Sequence, residues 1–249
     1  MRIIISPAKK MRVDPDTLAY HSLPIFLEKT KEIKSWLLEK NFEELKELWG
    51  CNENIAKQNY QRLREFDLEK NLTPAILSYE GIQYQYMAPA VFEEGMLGYI
   101  QKNLRILSGF YGILAPMDGV VPYRLEMQAK AGIGSYANLY EYWGDSLYNR
   151  VRDESKVIIN LASGEYSKCI EKYLVKEESF ITVIFGEMAG EKVVQKGTYA
   201  KMARGEMVRF LAQNNIEEPE GMKEFKGLGF SFAQKLSGEK RYVFIREKE

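Results

Sequence analysis

Apolar and polar positions along this chain change period repeatedly. Met1-Arg2-Ile3-Ile4-Ile5, Leu104-Arg105-Ile106-Leu107 and Ile158-Ile159-Asn160-Leu161-Ala162 are short runs of branched aliphatic residues, the pattern of buried strands. From Leu23 to about Phe66 the spacing is helical: Ile33, Trp36, Leu37 and then Leu45, Leu48, Trp49 form apolar stripes among many lysines and glutamates. Two or three amphipathic helices are predicted there, broken at Asn41 and at Gly50-Cys51-Asn52. Ala75 to Tyr79 reads as a strand, Glu93 to Lys102 as a helix, and Leu139 to Arg152 as a helix. Phe180 to Phe185 and Lys192 to Gln195 read as a hairpin turning over Gly186 to Gly190. Tyr199 to Asn214 is the clearest helix, with Ala200, Ala203, Met207, Phe210 and Leu211 on one stripe, and strands near Gly229–Phe232 and Tyr242–Ile245 follow it. The glycines and prolines between Phe110 and Met127 predict an ordered loop. Interleaved strands and helices predict an α/β (mixed α+β) fold: one compact domain over residues 1–249, with a mixed sheet flanked by helices.

Composition narrows the function classes. Apolar residues make up 45% and charged residues 28%, which excludes disordered and fibrous chains. Thirty-five basic residues balance 35 acidic ones, so any basic surface must be local. Cys51 and Cys169 lie far apart without CxxC spacing, and His21, in a polar loop, is the only histidine. Serine–histidine catalysis and most transition-metal sites thereby lose their usual residue, and the cysteine usage suits a reducing compartment. The first apolar run is too short for a signal-peptide core and no long apolar span follows, so a cytoplasmic protein without a membrane partner is expected.

Three apolar runs end alike, at Ser6-Pro7, Ser108-Gly109 and Ala162-Ser163-Gly164. If they are neighbouring parallel strands, their carboxyl ends meet at one edge, where open α/β sheets bind ligands. Ser6 and Ser163 each precede a helix-like start, with Pro7 suited to a first helical position, and Lys9 and Lys168 add positive charge there. The same residues also read as ordinary helix caps and solvated lysines. Glu126, Glu165 and Asp145, with Asp118, are candidate carboxylates for acid–base work or for a hard metal ion, although Arg124, two residues before Glu126, equally predicts an ion pair that fixes the loop. On the long helix, Lys201 and Arg204 share one border of the apolar stripe and Arg209 faces elsewhere. Gly205 weakens that helix, which predicts close approach of something to its backbone. The Gly-x-Gly turn in Ala129 to Trp143 matches either a helix-hairpin-helix or a glycine-rich turn before a capped helix.

Taken together, "IISPAK" at Ile4–Lys9, "LSGFYGILAPMD" at Leu107–Asp118, "PYRLEM" at Pro122–Met127, "LYEYWGD" at Leu139–Asp145, "INLASGEYSK" at Ile159–Lys168 and "YAKMARGEMVRF" at Tyr199–Phe210 resemble the peroxide stress protein YaaA family in order and spacing. The resemblance implies a cytosolic bacterial protein of the hydrogen peroxide response that limits unincorporated iron, with a positively charged cleft, a helix-hairpin-helix element and DNA binding. Its matching polar positions here are Ser6, Lys9, Tyr123, Arg124, Glu126, Asn160, Ser163, Glu165, Tyr166, Lys168, Lys201, Arg204 and Arg209. Ala115, Gly164 and Ser167 depart from the family pattern, Ala115 with the loss of a positive charge.

The first expectation is therefore a binding protein without cofactor, holding duplex DNA non-specifically through Ser6, Lys9, Tyr123, Arg124, Ser163, Tyr166, Lys168, Lys201, Arg204 and Arg209. The alternative is an enzyme acting on a phosphorylated or otherwise anionic small molecule, with Glu126, Glu165 or Asn160 as catalytic candidates. Direct iron binding ranks last, because only oxygen ligands are on offer. No feature of the chain points to an oligomeric state.

Overall fold

Ile3, Ile4 and Ile5 are fully buried, so strand β1 (Arg2–Ile5) has protein on both faces. The computed structural model describes residues 1–247. After β1 come helices α1 (Leu27–Leu38), α2 (Phe42–Trp49) and α3 (Glu53–Glu65), broken where the sequence places the breaks. Asn41 and Glu44 form a reciprocal capping box, Gly50 ends α2 in the left-handed conformation, and Asn52 caps α3. Then follow α4 (Ile82–Met87), α5 (Glu94–Asn103), β2 (Leu104–Ser108), β3 (Gly112–Leu114), α6 (Leu139–Trp143) and α7 (Ser146–Val151). The last part holds β4 (Val157–Leu161), α8 (Gly164–Glu171), β5 (Ser179–Ala189), β6 (Lys192–Val194), α9 (Gly197–Gln213), β7 (Phe230–Phe232) and β8 (Arg241–Arg246).

The main sheet runs β7-β8-β5-β4-β1-β2-β3, with β6 attached to β5. β2, β1, β4, β5 and β8 are parallel; β3, β6 and β7 pair antiparallel. Ile4 stands between Arg105 of β2 and Asn160 of β4, so the three apolar runs with similar ends are adjacent and parallel, as their pattern predicts. Moving along the chain from β1, the sheet first grows to one side through β2 and then restarts on the other side with β4. The strand order therefore reverses between β1 and β4, and a crevice opens beyond the carboxyl ends of these two strands.

Several local expectations are corrected. Ala75–Ser78 is one helical turn, with two-residue strands at Thr73–Pro74 and Tyr79–Glu80, because Ala75 and Ile76 donate to the Asp118 and Pro116 carbonyls instead of to a strand partner. The helix expected over Leu139–Arg152 is two helices, divided at Gly144 with φ of 53°. β5 runs through Gly186, whose missing Cβ would lie 2.6 Å from Val193, and the hairpin turns later, at Gly190. No helix follows Pro7; residues 7–9 form a loop leading to the two-residue strand Lys10–Met11. The Gly132–Gly134 segment has α6 after it, but residues 121–138 contain no helix before it, so only one of the two helices of a helix-hairpin-helix is present.

Candidate functional site

The crevice at the reversal point encloses about 560 Å³. Its floor joins the ends of the two central strands. The Ser6 hydroxyl accepts from the Ser163 N–H at 2.8 Å and donates to the Ser163 hydroxyl at 3.2 Å. Ser163 occupies the cap position of α8, yet its side chain caps no helix N–H, so the helix-cap account of these serines gives way to a cross-strand tie. Tyr166 and Ser167 N–H groups turn back to the Ser163 carbonyl, while the N–H groups of Gly164 and Glu165 have no acceptor among the described residues. That end of α8 carries the positive pole of the helix.

One wall is the Pro122–Met127 loop. Gly109 lets it lie against the end of β2, since a Cβ there would sit 2.7 Å from the Leu125 carbonyl oxygen. The Tyr123 hydroxyl bridges Ser108 Oγ at 2.6 Å and Tyr79 OH at 2.8 Å, and its ring stacks on Phe110 at 4.9 Å. Burial pushes the Tyr123 phenol up to about 12, so it remains a neutral hydrogen-bonding anchor. Glu126 then joins Lys9 at 2.8 Å and Arg124 at 3.1 Å. The loop-fixing ion pair is thus formed, and it stands inside the crevice.

The opposite wall is α4 and α9. A Cβ on Gly205 would lie 2.1 Å from the Gln83 carbonyl oxygen, so glycine lets these helices pack backbone to backbone. What approaches Gly205 is protein. This contact brings Gln83 and Tyr84 of α4 and Lys201 and Arg204 of α9 to one cavity, and the Tyr84 hydroxyl donates to the Ser6 carbonyl at 3.0 Å. Lys10 and Glu80 pair at 3.0 Å at the same mouth.

Of the residues singled out from sequence, Ser6, Lys9, Tyr123, Arg124, Glu126, Ser163, Glu165, Tyr166, Lys201 and Arg204 all line this crevice. Asn160 does not. Buried in β4, it accepts from Ala162 N at 2.9 Å and donates to Thr182 at 3.4 Å, a strand-end brace. Lys168 is exposed on α8 and Arg209 is partly exposed on α9, and neither lines the crevice. Five residues beyond Arg204, Arg209 lies about 140° around the helix. Asp118 is engaged by Ser22 and the Ala115 N–H, and Asp145 precedes α7; both lie outside. Gln83, Tyr84, Lys10 and Glu80 have no counterpart in the sequence reading. α4 has only six residues, too short for apolar spacing to announce it.

Glu165 is the second carboxylate here. Burial raises its carboxyl above the ordinary glutamate range; the Gln128 N–H, donating at 3.2 Å, opposes this and nearby Glu126 reinforces it. The Cys169 thiol, pushed up to about 12 by burial, is an inert core group. Among the described residues no group of three or more His, Cys, Asp or Glu side chains converges to hold a metal ion, and no helix is long and apolar enough to cross a membrane.

The family model described as "Peroxide stress protein YaaA" matches residues 1–236. A UPF0246 protein of Agathobacter rectalis is 60% identical over 247 residues, covering 99% of each chain. One from Lachnoclostridium phytofermentans is 52% identical over 246 residues, 99% of this chain and 96% of its own. Another, from Limosilactobacillus reuteri, is 51% identical over 245 residues, 98% of each.

Proposed function

The chain belongs to the peroxide stress protein YaaA family, a family of the oxidative stress response, and from that membership we propose that its crevice grips phosphate groups. In this reading the protein holds duplex DNA without reading its sequence and helps limit free intracellular iron. The observation that carries it is the pair Lys201 and Arg204, two cations on one helix with no carboxylate partner among the described residues, facing the same crevice as the α8 N-terminus. Lys9 and Lys10, with side chains 64% and 79% exposed, stand at the mouth within reach of a polyanion. Serine hydroxyls, lysines and helix N–H groups hold phosphates and leave bases unread. The effect on iron is proposed as indirect, through protected DNA or a partner.

Fluorescence anisotropy of labelled duplex DNA across a salt series tests this. Affinity should fall steeply with salt, and Lys201→Ala with Arg204→Ala should weaken binding and make the log–log slope shallower by about 1.8, the share of two phosphate contacts. No binding at low salt by a folded protein would sink the DNA reading.

A second reading has its own support. Arg124, with a side chain 9% exposed, and Gln83, 7% exposed, are almost withdrawn from solvent, and Glu126 and Glu165 line the same cavity. We propose as the alternative an enzyme acting on a small anionic substrate, with these carboxylates in acid–base roles.

A further inference from the structure

Three shielded donors on residues lining the crevice have no protein acceptor among the described residues: Nε of Arg204, Nε of Arg124 and Nε2 of Gln83. Glu126 Oε1, held only by its ion pair with Arg124, is shielded there too, but donors predominate; buried donors are nearly always paired, so three left over on residues that line one cavity favour acceptor oxygens supplied by a ligand. Charge points the same way. Five cations line the crevice against three carboxylates: Glu126 is shared by Lys9 and Arg124, Glu80 pairs with Lys10, Glu165 is the third, and Lys201 and Arg204 have no carboxylate partner among the described residues, while desolvation of Arg204 opposes its charge.

Phosphates differ in what they bring to such a place. An internal phosphodiester carries one charge and is flanked by chain on both sides. A terminal phosphomonoester carries close to two charges at neutral pH, presents three acceptor oxygens and projects on a single ester link. Only the second can enter to the depth of Gln83, at 7% exposure, while facing two unmatched cations. Resting on the phosphate-gripping reading above, we propose that the deep end of the crevice is a receptor for a phosphomonoester. Its oxygens would meet Arg204, Gln83 and the N–H groups of Gly164 and Glu165. The donor molecule is either a small metabolite or the phosphorylated 5′ end of a nucleic acid strand.

Calorimetric titration with ribose 5-phosphate and with dimethyl phosphate, alongside anisotropy with duplexes bearing a 5′-phosphate or a 5′-hydroxyl, tests this. Ribose 5-phosphate should bind and dimethyl phosphate should not. Gln83→Leu and Arg204→Met should each weaken ribose 5-phosphate by about tenfold or more. Arg204→Met should melt no lower than the parent without ligand, because it removes a shielded, unmatched charge, and this keeps the test free of a folding artefact. A preference of about tenfold for the phosphorylated duplex end would assign the source to nucleic acid; equal duplex binding with tight ribose 5-phosphate would assign it to a small molecule. Dimethyl phosphate binding as well as the monoester, or unchanged affinity in both variants, overturns the inference. Duplex binding without any monoester binding overturns it too but leaves the phosphate grip standing, and no binding of any probe removes both.

Discussion

A methyl group added at Gly205 would sit 2.1 Å from the Gln83 carbonyl oxygen and 2.9 Å from Met87 N, both backbone atoms that cannot swing away. Gly205→Ala should therefore cost about 3 kcal/mol, measured by urea denaturation. Gly164, exposed and with nothing within 4 Å of its missing Cβ, is the matched control: Gly164→Ala should change stability by less than about 0.5 kcal/mol. Glu165 has a different signature. Its folded-state carboxyl is raised by burial, so protonation favours the fold, and the wild type loses stability as pH rises through that raised value. Glu165→Gln should thus melt higher than wild type at neutral pH, with the gain disappearing as pH falls to the ordinary glutamate value of 4.5. Thermal melts at several pH values check this; a gain that grows on acidification would refute it. At this scale the sequence was partly legible: the cost of a mid-helix glycine at position 205 announced a close approach, but nothing in local sequence identified the partner as the backbone of a six-residue helix.

Among elements, the most informative joint is the one between β1 and β4. A serine ends each strand, and Ser6 Oγ is the acceptor for Ser163 N at 2.8 Å. Ser6→Ala leaves that N–H without its partner and should cost about 1 to 2 kcal/mol in chemical denaturation. The parallel strands and the first three helices were readable because each carries its own signal: isoleucine runs for the strands, and Asn41, Gly50 and Asn52 as punctuation for the helices. Ala75–Ser78 misled because its apolar composition is that of a buried strand, while its backbone donors are taken by carbonyls at Pro116 and Asp118. Gly186 misled for a related reason, since a glycine that admits Val193 looks the same in sequence as one that makes a turn.

For the whole molecule, one buried cluster draws on residues from Met1 to Phe244, and the crevice is lined from five separated parts of that span. Ten of the site residues named from sequence converge: Ser6 and Ser163, with the residues that follow them, because parallel strands share a carboxyl edge, and the Tyr123–Glu126 loop and α9 because Gly109 and Gly205 admit close backbone packing. Asn160, Lys168 and Arg209 sit close to the right residues along the chain but fall on other faces, which alternation in a strand and rotation along a helix decide. A net charge of zero hid the crevice from composition, because its two unmatched cations are cancelled by acidic surface elsewhere.

The position of β1 has a further consequence in time. It precedes the other strands of the sheet along the chain, yet its neighbours in the sheet are residues 104–106 and 158–161. Ile3, Ile4 and Ile5 must wait for residues up to 161 to be translated before both edges of β1 can pair, an interval in which a β-branched apolar segment has unpaired edges. Lys201 and Arg204 are made later still, so the α9 wall of the crevice is the last of its parts to be translated.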